Sequence, residues 1–138
     1  MTTPNPTRRT VLAAGGALAA AGTLAGCGSD DDGGGSNGDA GGLVALDAVP
    51  VHGAVSATGP KGEKLIVARP RQDTAVAFSA ICTHQGCTVK PAGAELHCPC
   101  HGSVYDALTG RNVSGPAPRP LPAFPVHVKG GQVMPDTK

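Results

Sequence analysis

Short apolar or alternating runs, each bounded by Pro, Gly or Asp, recur along the chain from Leu43 onward. Runs of this length and bordering are typical of β-strands. The predicted strands cover residues 43–49, 63–68, 75–81, 95–98, 103–107, 124–129 and 132–134. Gly130-Gly131 separates the last two runs and predicts a hairpin. Because no run has helical periodicity, the pattern predicts an all-β, antiparallel domain over residues 43–138.

Residues 1–26 predict a targeting segment rather than part of the fold. Arg8-Arg9 precedes a weakly apolar, Ala- and Gly-rich run over residues 11–25. This run is too short and too rich in glycine to predict a transmembrane helix. The segment resembles a bacterial twin-arginine export signal, a route that exports folded proteins with their cofactor already inserted. The alternative is an ordinary secretory signal in which the arginine pair occurs by chance.

The motif Leu24-Ala25-Gly26-Cys27 resembles a bacterial lipoprotein box. It predicts cleavage before Cys27, a lipid on its sulfur, and attachment to the extracytoplasmic face of the cell membrane. The alternative is an unmodified Cys27 with the apolar run kept as a membrane anchor. Residues 27–42, rich in Gly and Asp, predict a flexible linker about 20 Å from end to end.

Composition limits the size of the core and the kinds of partner. The chain has 138 residues, with two Phe, one Tyr, no Trp, 21 Gly and 13 Pro. A domain with so little apolar mass needs a metal or a disulfide for stability. Residues 43–138 hold nine Lys or Arg and six Asp or Glu, a net charge of +3. That charge is too weak and dispersed to indicate nucleic-acid binding.

Two sequence boxes concentrate the metal-binding residues. Residues 82–87 read C-T-H-Q-G-C and residues 98–103 read C-P-C-H-G-S, so each box offers two cysteines and one histidine. Thiolate and imidazole together suit a Cys2His2 zinc site or a [2Fe–2S] cluster with two Cys on one iron and two His on the other. Zinc sites usually use other spacings and would leave one cysteine per box without a role. A zinc-stabilised binding module remains the alternative.

The paired boxes closely resemble the Rieske iron–sulfur family pattern, C-x-H-x-G-C followed by C-x-C-H-G-S. The resemblance implies a small antiparallel β-sandwich or barrel, the Rieske fold, with one [2Fe–2S] cluster held between two loops at one tip. The residues it implies as cluster ligands are Cys82, His84, Cys98 and His101. It also implies a disulfide between Cys87 and Cys100 that ties the two loops together.

The resemblance extends to residues around the cluster. Ser103 and Tyr105 occupy positions whose hydroxyls bond to cluster or cysteine sulfur, which raises the reduction potential. Gly86 and Gly102 let backbone pass close to the cluster. The loop that begins with Gly115-Pro116 matches the proline loop that covers the cluster in this family.

These features predict a membrane-tethered, extracytoplasmic electron carrier that acts only with redox partners. The alternative is the Rieske subunit of a cytochrome bc-type quinol–cytochrome c reductase. The disulfide, Ser103 and Tyr105 suit that alternative. Gln85 departs from it, because such subunits typically have Leu at this position, near the quinol pocket. An oxygenase is disfavoured, since the chain has no second metal-binding group and little room for a catalytic domain.

Overall fold

The computed structural model describes residues 41–136. The signal residues Arg8 and Arg9 and the lipidation residue Cys27 lie outside this range, as do residues 137–138. Within residues 41–136, no helix is long and apolar enough to span a bilayer. The boundaries predicted at residues 26 and 42 stay predictions.

The described residues form short strands and one 3-10 helix. The strands are Val44–Ala45 (β1), Ala54–Thr58 (β2), Lys64–Arg71 (β3), Thr74–Ser79 (β4), Lys90–Ala92 (β5), Glu95–His97 (β6), Val104–Asp106 (β7), Asn112–Ser114 (β8), Ala123–Phe124 (β9), Val126–Lys129 (β10) and Gln132–Pro135 (β11). The 3-10 helix covers Leu46–Ala48. Every strand pair is antiparallel, which confirms the predicted all-β fold class.

The strands form three sheets, ordered β1-β11-β10, β2-β3-β4-β9 and β5-β6-β7-β8. Strand β3 lies between two cores, because successive side chains of a strand point to opposite faces. Leu65 and Val67 pack with the core beside β1 and β11. Ile66 packs with the core that contains Leu96 and Tyr105. The sheet β2-β3-β4-β9 is therefore covered on both faces at β3, which explains why this strand contains a continuous apolar run.

The buried guanidinium of Arg69 attaches the start of the domain to β3. It donates to the carbonyl oxygens of Leu46 at 3.0 Å and Val49 at 3.2 Å. It also donates to the carbonyl of Gln72, at 2.9 Å from Nε and 2.6 Å from a terminal nitrogen. These bonds require the chain to bend after Ala45. The predicted strand over residues 43–49 is therefore wrong beyond Ala45, where the 3-10 helix begins.

Three strands were not expected from the apolar pattern. Strand β2 alternates small residues at a sheet edge, β5 contains Pro91, and β8 is exposed along its whole length. None of them has a continuous apolar stretch, so their sequences lack the hydrophobic pattern by which a strand is recognised. The predicted hairpin at Gly130-Gly131 is confirmed by the pairing of β10 with β11.

Candidate metal centre

The first box forms a loop closed at its base by an antiparallel bridge between Ile81 and Thr88. The Cys82 N–H donates to the carbonyl of Cys87 at 2.8 Å, and the Gly86 N–H donates to the carbonyl of Cys82 at 3.0 Å. Gly86 has a φ of 77°, in the left-handed region that glycine adopts without strain. These bonds hold the turn that carries His84.

The second box repeats this geometry between β6 and β7. The Cys98 N–H donates to the carbonyl of Ser103 at 2.8 Å, and the Gly102 N–H donates to the carbonyl of Cys98 at 3.1 Å. Gly102 has a φ of 71°, close to that of Gly86. The two boxes are therefore the same six-residue loop used twice, and Cys82 corresponds to Cys98 in its first position.

The four cysteines of the two boxes form one disulfide pair and one pair of free thiols. Cys87 and Cys100 form a disulfide with an S–S distance of 1.99 Å, which joins the two loops. Cys82 and Cys98 are the buried free thiols of residues 41–136. Two buried thiols thus start the two equivalent loops.

The rings of His84 and His101 meet edge to face, with centroids 4.8 Å apart. Nδ1 of His84 is buried and has no hydrogen-bond partner among residues 41–136. A buried imidazole nitrogen without a partner is costly, and coordination to a metal would satisfy it. His101 is exposed, whereas His84 is partly buried, so the edge of the pair reaches the protein surface.

The buried phenol of Tyr105 connects to the first loop through its hydroxyl. That oxygen lies 3.3 Å from Sγ of Cys82 and 3.2 Å from Oγ1 of Thr83, and it accepts from the Thr83 N–H at 3.2 Å. Burial raises the pKa of the Tyr105 hydroxyl, and its bond to Cys82 raises it further. The phenol therefore stays protonated and can donate to sulfur.

The environment of Cys82 favours its thiolate. Burial alone raises the pKa of this thiol, but hydrogen bonds outweigh the burial and lower the pKa overall. These bonds come from the Tyr105 hydroxyl, the backbone of His84, the Cys98 thiol and the Ser103 hydroxyl. Thiolate is the form that ligates metal, so these contacts prepare the sulfur for coordination.

The predicted proline loop packs against both boxes. The Ala117 N–H donates to Oγ of the buried Ser103 at 3.2 Å. Gly115 approaches so closely that a Cβ there would lie 2.5 Å from Cα of Ser103. On the other side, the Thr83 hydroxyl donates to the carbonyl of Arg119 at 2.6 Å. Pro116, between these contacts, is exposed.

Thr83 was not singled out from the sequence, yet it bonds to Tyr105 and to the proline loop. The available signal was its position as a hydroxyl residue between Cys82 and His84 in the first box. Gln85 is exposed. The histidines outside the boxes, His52, His97 and His127, are exposed.

The donor set suits an iron–sulfur cluster. Two free buried thiols and two adjoining imidazoles, one with an unpartnered buried nitrogen, supply the sulfur and nitrogen ligands of a mixed-ligand cluster.

A model of the Rieske [2Fe-2S] domain family matches residues 42–125, more than half of the chain. The chain belongs to this family. A Rieske domain binds a [2Fe–2S] cluster, so the predicted cofactor and the predicted fold are both confirmed.

Curated relatives are Rieske subunits. The cytochrome b6-f complex iron-sulfur subunit of Prochlorococcus marinus (strain NATL1A) is 42% identical over 93 residues, which cover 64% of this chain and 52% of that protein. The corresponding subunit of Parasynechococcus marenigrum (strain WH8102) is 39% identical over 116 residues, covering 70% of this chain and 64% of that protein. This Rieske chain therefore spans about half to two thirds of the length of these two relatives.

Solved structures agree on the fold. The cyanobacterial plasma membrane Rieske protein PetC3 from Synechocystis PCC 6803 matches with a TM-score of 0.55 and 31% identity, over 70% of this chain and 96% of that one. A chain of a hyperthermophilic respiratory Complex III matches with a TM-score of 0.57 and 28% identity, over 70% of this chain and 75% of that one.

Proposed function

We propose that this Rieske protein carries single electrons between redox partners through one [2Fe–2S] cluster. Cys82 and Cys98 are the proposed ligands of one iron, and His84 and His101 those of the other. The observation that most directly supports this proposal is the arrangement of the two equivalent loops. They bring together two buried free thiols and two imidazole rings with centroids 4.8 Å apart. When bound, the cluster accepts and releases one electron at a potential typical of Rieske centres.

The protein's own residues do three things in this function. The two loops fix the ligand positions, and the disulfide between Cys87 and Cys100 prevents the loops from separating. The Tyr105 and Ser103 hydroxyls donate toward sulfur, which stabilises the electron-rich state. The exposed edge of His101 offers a short route between the buried ligands and a partner protein docked at this surface.

Metal analysis of the purified full-length chain tests this assignment. We expect about two irons and two sulfides per chain and the EPR signal of a mixed-ligand cluster after reduction. His101→Ala should abolish that signal. His127→Ala is the matched control, because His127 is exposed and bonds to Asp136 outside the site. One zinc per chain with neither iron nor sulfide would establish the binding-module alternative instead.

The proposed location is the extracytoplasmic face of a bacterial cell membrane. Support comes from the twin arginine at Arg8 and Arg9 and from the lipoprotein-like motif ending at Cys27. Replacing both arginines with lysine should retain the protein in the cytoplasm. Cys27→Ser should still be exported but should be recovered without the lipid. If this variant remains as firmly in the membrane fraction as the parent, the apolar run rather than a lipid is the anchor.

A place in a quinol-oxidising complex is the second candidate, and the relatives favour it. Both curated relatives described above are named as cytochrome b6-f subunits, and one structural match is from a respiratory Complex III. The exposed Gln85 favours the separate carrier, because a polar side chain is ill suited to an apolar quinol pocket. Quinol-dependent reduction of cytochrome c by membranes with and without the protein separates the two. Loss of this activity without the protein supports the complex.

A further inference from the structure

Three sulfur atoms meet beside the proposed cluster site. Those of Cys87, Cys98 and Cys100 all lie within 4.8 Å of one another. Two of them form the disulfide, and the third belongs to a buried free thiol. Cys82, the other free thiol of residues 41–136, is not part of this group. Cys98, a proposed iron ligand, thus lies within 4.8 Å of both sulfurs of the disulfide.

A thiolate next to a disulfide can exchange with it. The thiolate attacks one sulfur, a new S–S bond forms, and the other sulfur leaves as a thiolate. No external oxidant or reductant is needed, because the number of disulfides does not change. Holding the reacting groups in one folded chain makes such a step effectively unimolecular. The buried position of Cys98 does not prevent the reaction, since its partner is already in place.

We propose that, before the cluster is loaded, Cys98 exchanges into the disulfide that joins the loops. Cys98 first gives its thiol proton to water. Its Sγ then bonds to Sγ of Cys87, the bond between Cys87 and Cys100 breaks, and Cys100 leaves as a thiolate that takes a proton from water. The inference rests on the proposed role of Cys98 as an iron ligand. Iron bound to Cys98 blocks the exchange, whereas a completed exchange removes one of the four ligands.

Two observations select Cys100 as the leaving sulfur. A bond between Cys98 and Cys100 would enclose Pro99 alone, a ring too short for relaxed disulfide geometry. A bond between Cys87 and Cys98 instead closes a loop only two residues shorter than the present one. Cys100 is also exposed, whereas Cys87 is partly buried, so water solvates Cys100 as it leaves.

The exchange imposes an order on assembly. If the disulfide forms before the cluster is inserted, the exchange places Cys98 in a disulfide. Cys98 is then unavailable as an iron ligand, so the ligand set is incomplete. The cluster must therefore be inserted while the cysteines are still reduced, with the disulfide closing afterwards. The proposed export of an already folded protein supplies this order, because thiols stay reduced in the cytoplasm and oxidise outside it.

Disulfide mapping of the full-length protein tests the exchange. The loaded protein is compared with the same preparation after anaerobic removal of iron by a chelator, so that no new disulfide can form by oxidation. Samples are quenched with acid, alkylated and cleaved after Glu95, which separates Cys87 from Cys98. Fragmentation on the N-terminal side of Pro99 then distinguishes Cys98 from Cys100 in the mass spectrum.

We expect the loaded protein to contain only the Cys87–Cys100 bond. The iron-free protein should convert to a Cys87–Cys98 bond with the alkyl group on Cys100. In the iron-free protein, Cys98 should be found in a disulfide within the chain about tenfold more often than Cys82. In guanidinium the loops unfold, and this selectivity should vanish. Cys98→Ser should keep the original bond, whereas Cys82→Ser should still exchange.

Three results would overturn the inference: an iron-free protein that keeps Cys87–Cys100 with the label on Cys98, equal use of Cys82 in the folded state, or a Cys98–Cys100 product. The mapping does not depend on electron transfer. A protein that never binds iron would refute the proposed function through its metal content, while its disulfide pattern would still report on the exchange.

Discussion

The phenol oxygen of Tyr105 lies 3.3 Å from Sγ of Cys82, the first proposed sulfur ligand. Replacing Tyr105 with Phe removes this hydrogen bond and keeps the ring that fills the core. Because the bond stabilises the more electron-rich state, we expect Tyr105→Phe to lower the reduction potential by on the order of 50 mV. A protein-film or EPR-monitored titration measures the shift.

Ser114→Ala is a suitable control for this variant, because it removes an exposed strand hydroxyl. Its potential should equal that of the parent. An unchanged potential in Tyr105→Phe, with the cluster intact, would show that the hydroxyl does not influence the sulfur.

Gly115 tests the packing of the proline loop on the second box. Its φ is +87°, and a Cβ there would lie 2.5 Å from Cα of Ser103. Gly62 has nearly the same φ, +83°, but a Cβ there meets no atom within 4 Å. Gly62→Ala should therefore cost about 1 kcal/mol, and Gly115→Ala about 3 kcal/mol or more, because only the latter adds a backbone clash.

Chemical denaturation of both glycine variants measures this difference. Equal losses of unfolding free energy would mean that the proline loop moves to accommodate the added Cβ with no further loss of stability. Release of the loop in Gly115→Ala should also increase protease cleavage after Arg111, which is exposed four residues before Gly115.

Asp106 should make stability depend on acidity. Its Oδ1 accepts from the Thr109 hydroxyl at 2.7 Å and from the backbone N–H groups of Thr109 at 2.8 Å and Leu108 at 3.0 Å. The Thr109 hydroxyl chiefly lowers the pKa of this carboxyl, burial opposes the shift, and the backbone bonds lower it further. The carboxylate therefore contributes its full stability above the unfolded-state pKa of about 3.9.

This contribution is lost as pH falls through the lower pKa of the folded state. We expect Asp106→Asn to lose about 1–2 kcal/mol at neutral pH and to show a flatter decline in stability below about pH 4. Asp73→Asn, in the exposed turn between β3 and β4, is the control. Parallel acid profiles for the parent and Asp106→Asn would contradict the argument.

Removal of the disulfide should weaken the whole site. Cys87 and Cys100 are 13 residues apart, and a loop of that length is worth about 3 kcal/mol when it is closed covalently. The double variant Cys87→Ser/Cys100→Ser should lose about that much unfolding free energy and should release its iron faster to a chelator. Iron release at the parental rate would show that the hydrogen-bonded loops hold together without the bond.

That the two boxes come together was predictable from the sequence, because their cysteines and histidines, the proposed ligands among them, have distinctive spacing. The connections between these boxes and the rest of the chain were not predictable. The bond from Thr83 to Arg119 joins residues 36 positions apart, and it depends on where the proline loop packs. No local pattern of hydrophobic and polar residues encodes such a distance.

The fold shows the same division. Strand β3 was predictable because an apolar run can be recognised by itself. The end of β1 was not, because the buried Arg69 decides where the chain bends by bonding to Leu46 and Val49. An arginine in a strand gives no sign in the sequence that it will bind carbonyl groups about 20 residues earlier.

The Arg69 contacts also determine how the domain would respond to a mechanical pull from its N-terminal side. Force applied at Gly41 would pass through the backbone bond from Leu43 to Val133 and through the carbonyls held by Arg69. Both routes end in sheets other than β5-β6-β7-β8, which carries the second loop. The load would therefore enter the domain away from the sheet that carries the second loop.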